Sequence, residues 1–325
     1  LQNSEKELIM YEPRDYQNRI IKKSVKYFHE NDKGRLYMPC GTGKTLVCYW
    51  ISQELEKHKR VCIVVPSLYL LSQTYNTWCE MKKYNYLLVG SDAEVSSCYD
   101  TGLLITTSKN DIKKYLEEHE KCYIITTYQS SDVFAKVCVK MNYKLDLIIY
   151  DEAHKTVGSS NKQFSYLLND ENIKTRKRLF TTATEKIYKH RNKDVSSDDE
   201  EDEILSMDNI NVYGDIVYNY SFKKAIENRQ LCDYQVIAPL INEDGFLKVV
   251  KKNKFVIDKN ISNDPIESRC YMTAYLICRN IVERKLTHIL TFNNTNENAK
   301  KLFNILEKMI EEMEIDCNCY YLTGE

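Results

Sequence analysis

Residues 60–65, 122–127, 145–150 and 178–182 are short apolar runs, and each is separated from the next by stretches that read as amphipathic helices. Runs of this kind are buried on both faces, which strands of a parallel sheet covered by helices achieve and antiparallel hairpins rarely do. The alternation predicts an α/β fold with a parallel sheet, built through right-handed crossovers. No internal repeat and no Gly-, Pro- or Gln-rich tract interrupts it.

At 325 residues the chain is long for one core, so two domains are expected. The predicted boundary falls at residues 229/230. An acidic, disordered insertion is expected at about residues 190–208, because Asp198, Asp199, Glu200, Glu201, Asp202 and Glu203 lie in a stretch too polar to bury itself. Beyond it, residues 231–240 read as a strand, 264–286 as a helix, 288–292 as a strand, 297–315 as a helix and 319–322 as a strand. That is a second α/β unit, and it stops early.

With 46 basic and 47 acidic residues the net charge is −1, so any nucleic-acid surface must be local rather than global. No segment resembles a signal peptide or approaches the ~18 apolar residues of a membrane span, so an aqueous compartment and no membrane partner are expected. The 12 cysteines are scattered through apolar stretches and read as reduced thiols. Cys317 and Cys319 lack a second ligand pair, and a strand entering a core explains them better than zinc.

Pro39, Cys40, Gly41, Thr42, Gly43, Lys44 and Thr45 follow apolar residues 36–38 and precede a helix-like stretch over 46–56. Strand, glycine loop and helix together form a phosphate-binding turn: backbone N–H groups close around phosphate oxygens at a helix N-terminus. Lys44 is placed to reach the β and γ phosphates of ATP, and the Thr45 hydroxyl to bind Mg2+. Met38 stands where the general pattern has its first glycine, and an ordinary strand-to-helix turn has the same short sequence.

The rest of the chain decides. Residues 145–150 end directly in Asp151, Glu152, Ala153 and His154, at the strand end where open α/β sheets bind ligands. Asp151 is read as the magnesium carboxylate acting through water, Glu152 as the group that orients and deprotonates an attacking water, and His154 as a relay. A phosphate loop and an acidic strand end in this order point to one magnesium–nucleotide site.

In these motifs and their order the chain resembles superfamily 2 helicases of the DEAH-containing, restriction-enzyme type, including predicted helicases of large DNA viruses. Arg14, Asp15, Tyr16 and Gln17 are similar to the family's Arg-x-Tyr-Gln element, which implies adenine recognition by Gln17 and Arg14. The resemblance of Pro66, Ser67, Gln73 and Thr74, and of Thr127, Tyr128 and Gln129, implies contact with a nucleic-acid backbone. That of Thr182, Ala183 and Thr184 implies coupling of hydrolysis to domain movement, with Glu185 standing where proline is common. Residues 206–208, 213–214 and 231–234 resemble the bridge between two motor domains, and residues 289–294 the first motif of the second.

The resemblance implies a RecA-like ATP-binding domain over 1–229 and the start of a second RecA-like domain over 230–325, with ATP in the cleft between them in the complete motor. The family's last motifs, with their arginine finger, would follow residue 325, and no Gln-x-x-Gly-Arg-x-x-Arg occurs here. A piece of a longer motor is therefore expected, with weak or absent turnover by itself. The implied activity is ATP-dependent translocation along, or unwinding of, DNA, with RNA as the other strand. A remodelling or transcription-release factor that translocates without unwinding, a nucleotide-gated nucleic-acid-binding scaffold and a small-molecule kinase are the alternatives. The expected location is intracellular and soluble: cytoplasm, nucleus, a viral replication site or a virion, the viral sites being suggested by the 25 tyrosines and the Asn- and Lys-rich usage.

Overall fold

The computed structural model describes residues 11–55, 60–91, 105–159, 163–188, 204–236 and 265–322. The chain divides into two compact units, residues 1–234 and 235–325. In the first, chain order runs α1 (Asp15–Glu30), β1 (Lys33–Tyr37), α2 (Lys44–Glu54), β2 (Arg60–Val65), α3 (Leu68–Met81), β3 (Tyr86–Val89), β4 (Ile105–Thr106), α4 (Lys109–Glu118), β5 (Cys122–Thr127), α5 (Ser131–Met141) and β6 (Lys144–Asp151). There follow a 3-10 turn at Ala153–Thr156, β7 (Gly158–Ser159), a second 3-10 segment at Gln163–Leu168, β8 (Lys174–Thr182), β9 (Ile204–Leu205), α6 (Ile210–Tyr213), β10 (Asp215–Asn219) and α7 (Phe222–Glu227).

Eight strands form one parallel sheet in the order β10-β1-β8-β6-β2-β5-β3-β4. Strand pleating sends alternate residues to opposite faces. Val61, Ile63 and Val65 pack with α1, α2 and α3, while Cys62 and Val64 pack with α4 and α5. Burying each such Val, Leu or Ile contributes roughly 1.5–3 kcal/mol, which is why both faces must be covered. Serines start the covering helices: Ser67 accepts the Leu70 N–H and Ser108 the Asp111 N–H, each satisfying a donor the helix leaves open.

Strands β2 and β5 have the bounds expected, and β6 and β8 extend the expected runs to Lys144–Asp151 and Lys174–Thr182. The sequence reading missed β3 and β10. Most of the acidic block lies outside the described residues, but residues 204–208, expected to be disordered, are held. Strand β9 pairs antiparallel with β7, Leu205 and Met207 are buried, and the Met207 N–H donates to the Lys186 carbonyl at 3.2 Å. The apolar Leu205 and Met207 find a slot that the neighbouring charges hid.

The second unit contains α8 (Pro265–Arg284) and α9 (Asn296–Glu312), joined through Ala274 and Cys278 against Leu302, Leu306, Met309 and Ile310. The strands expected at 288–292 and 319–322 are corrected: these residues pair with no strand among the described residues. Leu290, Phe292, Tyr320 and Leu322 stay exposed, because a strand exists only where a second backbone completes its hydrogen bonds. Residues 231–236 are likewise without strand, and 237–240 lie outside the described residues. Among the described residues no helix is long and apolar enough to cross a membrane.

Candidate active site

Strand β1 ends at Tyr37, and the Met38 N–H continues its ladder by donating to the Thr182 carbonyl at 3.0 Å. Met38 is fully buried in the core, so the loop proper begins at Pro39 and the missing glycine lies outside it. The Pro39 carbonyl accepts the Thr42 hydroxyl at 2.7 Å. Gly43 caps α2 with φ +75°, and a Cβ there would lie 2.6 Å from Gln17 Nε2. Both the left-handed backbone and the close approach demand glycine. Tyr16 and Gln17 of α1 donate to the Thr42 carbonyl at 2.7 and 3.1 Å, which fastens the helix to the loop. Gln17 Oε1 also accepts the Arg14 N–H at 2.9 Å.

Lys44 opens α2 with its side chain only 9% exposed, and its ammonium lies 2.6 Å from Glu152 Oε1 and 3.7 Å from Asp151 Oδ1. The two motifs, more than a hundred residues apart, therefore converge. Burial opposes the Lys44 charge, but the two carboxylates more than offset this and hold the ammonium above its ordinary range. Burial raises the Asp151 carboxyl against the pull of Lys44, because this acid lies deeper than its neighbour. Thr181 donates to Asp151 Oδ1 at 3.2 Å and so orients it. Glu152 adopts φ +50°, a left-handed conformation unusual for a glutamate. Such strain costs about 1–3 kcal/mol and persists where the surroundings impose it.

His154 Nδ1 lies 2.9 Å from Thr182 Oγ1 and 3.3 Å from Glu152 Oε2. The Thr182 hydroxyl donates to the Thr184 carbonyl at 3.1 Å, so it accepts from His154 and the Nδ1–H tautomer is assigned from these partners. Burial lowers the His154 pKa below its ordinary 6.5, and the ring is neutral at pH 7. A chain of contacts thus runs from the Lys44–Glu152 pair to Thr182.

The oxygen-rich donor set, with the Thr45 hydroxyl and the Asp151 carboxylate beside a glycine cradle, fits magnesium better than a softer metal. Among the described residues no three His, Cys, Asp or Glu side chains form a metal cage. A cation here would share its remaining positions with phosphate and water.

Sheet order brings the second group of predicted residues alongside. Strands β2 and β5 are paired through Val65 and Thr127, and β2 in turn pairs with β6. Pro66 is buried, Ser67 caps α3, and Gln73 is exposed one turn along that helix. Thr127 is buried, with its hydroxyl accepting the Ser130 N–H at 3.2 Å, and Gln129 is exposed. Tyr128 is a correction: it is 1% exposed and its hydroxyl donates to the Asp151 carbonyl at 2.8 Å. Its side chain braces the carboxylate strand from beneath and is not free to touch a nucleic-acid backbone.

Residues 10–204 match the family described as type III restriction enzyme, res subunit, which is more than half of the chain. The chain belongs to that family. This res-subunit relative is 30% identical over 230 residues to a probable helicase, A859L, of African swine fever virus, covering 69% of this chain and 24% of that protein. It is 28% identical over 237 residues to the EcoAI endonuclease subunit of a type I restriction enzyme from Escherichia coli, covering 71% of this chain and 25% of that one. The chain spans about a quarter of the length of the curated relatives it matches. Among solved structures, the ATP-dependent type ISP restriction-modification enzyme LlaBIII bound to DNA superposes with TM-score 0.73 at 26% identity, over 93% of this chain and 22% of that one. A nuclease-deletion mutant of LlaGI, in complex with a DNA substrate mimic, gives 0.68 at 27% identity, covering 93% and 22%. The fold of the first unit is RecA-like, and the chain is a superfamily 2 helicase module.

Sequence reasoning missed several partners in this res-subunit module. Tyr220 stacks on Tyr16 with ring centroids 4.7 Å apart, and Gln230 accepts a 2.5 Å hydrogen bond from Arg14. Both lie some two hundred residues from their partners, and no local spacing signals them. Arg35, buried in the middle of β1, anchors a third set of distant partners.

Proposed function

We propose that this chain is the ATP-binding core of a nucleic-acid-dependent ATPase that translocates along or unwinds DNA, with residues 1–229 as the first RecA-like domain and 230–325 as the beginning of a second. The observation that carries the reading is the convergence of Lys44 with Glu152 at 2.6 Å and with Asp151 at 3.7 Å. Lys44 neutralises the two acids. An arriving triphosphate would draw the ammonium onto its β and γ phosphates and leave Glu152 free to orient and deprotonate the attacking water. Magnesium, held by the Thr45 hydroxyl and through water by Asp151, would offset charge on the phosphates. Arg14 and Gln17 would read adenine beside the loop.

His154 would carry the state of Glu152 to Thr182, and the Thr182–Thr184 turn would pass it to the rest of the motor. The exposed Gln73 and Gln129, with Ser67 and the backbone around Pro66 and Thr127, would line a sequence-tolerant strand track. DNA is favoured over RNA because LlaBIII and LlaGI were solved with DNA or a DNA mimic. The viral relative supports a role in a viral setting.

The test is ATP turnover by the full-length protein with panels of DNA and RNA strands, in the wild type and Glu152→Gln. Glu152→Gln should still bind ATP yet turn it over about 10²–10⁴-fold more slowly, the usual loss on removing a general base. Turnover that ignores both the strand and this substitution would refute the motor reading.

A further inference from the structure

Arg35 lies in the middle of β1, 5% exposed, where a guanidinium must be fully partnered. Its Nε donates to the Gly214 carbonyl at 3.0 Å and its Nη1 to the Met207 carbonyl at 2.5 Å, to Glu185 Oε1 at 2.8 Å and to the Tyr37 hydroxyl at 3.3 Å. Tyr37 in turn donates to Glu185 Oε1 at 2.9 Å. Burial, followed by this hydrogen bond, pushes the phenol well above its ordinary pKa, so it remains the donor. One carboxylate oxygen is thus gripped by two groups from the strand that leads into the phosphate loop.

The carboxylate belongs to the residue directly after the Thr182–Thr184 turn, and Tyr37 pairs in register with Thr182 across β1 and β8. The two backbone carbonyls that accept from Arg35, those of Met207 and Gly214, belong to the segment that leads into β10. That segment is stitched to the same turn a second time: the Met207 N–H donates to the Lys186 carbonyl at 3.2 Å and the Tyr188 N–H to the Ser206 hydroxyl at 2.9 Å. A shift of the turn cannot leave residues 206–214 in place without breaking ion-paired hydrogen bonds around a buried charge. The Glu185 side chain is 31% exposed against 6% for Arg35, so the grip has one end at the surface from which to open. A proline at this position would supply no carboxylate.

We propose that Glu185 is a positioning residue that couples the nucleotide site to the bridge segment 206–219, by clamping the turn after Thr182 to Arg35 and Tyr37. The assignment rests on the motor reading above. It adds a discrete element with two arrangements, clamp closed and clamp open, of the kind that energetic coupling between sites requires.

The experiment compares wild type, Glu185→Ala, Glu185→Gln and Tyr37→Phe in the full-length protein. It measures KM for ATP, kcat with and without single-stranded DNA, and the thermal midpoint. Glu185→Ala should keep its KM for ATP while the ratio of stimulated to unstimulated kcat falls roughly 5- to 150-fold, the range of ordinary coupling between sites. Glu185→Gln, which can still accept both hydrogen bonds, should restore most of that ratio. Tyr37→Phe, which removes one of the two donors to that carboxylate oxygen, should lose part of it. An unchanged ratio in Glu185→Ala and Tyr37→Phe overturns the assignment alone. So does a loss of KM, kcat and midpoint in parallel that Gln does not rescue, which is the mark of a merely structural ion pair. If Glu185→Ala fails to fold, Tyr37→Phe decides by the same ratio. A wild type that no strand stimulates overturns the motor reading, and this one with it.

Discussion

Lys44 and its two acids form a charge triad whose balance is set by burial as much as by distance. Lys44 gains from both carboxylates, while Asp151, the deeper of the two, is raised by desolvation. Glu152 holds its carboxylate against Lys44 from a left-handed backbone that no neighbouring residue in sequence requires. Lys44→Ala should therefore leave two half-buried acids without their cation as well as abolish nucleotide binding, and a lower thermal midpoint together with loss of a fluorescent ATP analogue's signal would register both. His154 gives a pH signature. Its folded pKa lies below the unfolded 6.5, so between the two values the folded state binds fewer protons than the unfolded one. The stability at stake is present at pH 7 and is lost as pH falls through that window. His154→Asn should flatten the acid-side decline of the thermal midpoint between about pH 7 and 5 while the neutral-pH fold persists; an identical decline in both proteins would count against it.

The parallel strands show how an element can be legible and its neighbours not. Runs such as 60–65 and 122–127 announce themselves because every residue but Arg60 is buried on one face or the other. Strand β10 does not, because at the sheet's edge only Val217 of its five residues is buried and Ile216 is exposed. Its placement depends on Gly214, which turns the chain at φ +71° with Lys33 so close that an added Cβ would lie 2.1 Å from its carbonyl oxygen. The contact is to backbone, which cannot yield as a side chain would. Gly214→Ala should cost well over ~1 kcal/mol, since a new Cβ meets both strain and a clash. Urea unfolding measures it, and a midpoint unchanged from wild type would mean β10 is not fixed as described. Of the strand expected over 231–240, the described residues 231–236 follow α7 without a ladder partner, and apolar content alone does not create one.

At the scale of the whole molecule, strand order does the assembling. In β1-β8-β6-β2-β5 the phosphate loop, the Thr182 turn and the acids end three adjacent strands, and the Pro66 and Thr127 segments end the next two. On the motor reading, a net charge of −1 means that strand binding would come from this local track rather than from a long-range field. Affinity for single-stranded DNA should then fall on a log–log salt plot with a slope of about −0.7 per phosphate neutralised, and a shallow slope reporting few phosphates is expected. A steep slope would place the binding surface elsewhere. The α/β class, the phosphate loop and the acid pair were readable from sequence, because burial on two faces and phosphate chemistry impose local patterns on neighbouring residues. What tertiary structure alone decided was which distant groups meet: Lys44 with Glu152, the Tyr128 hydroxyl with the Asp151 carbonyl, Arg35 with Glu185, and two apolar segments of the second unit that pair with no strand among the described residues. Hydrogen bonds and ion pairs depend on distance in space, and a chain's local order carries no record of which remote backbone or charge the fold brings within reach.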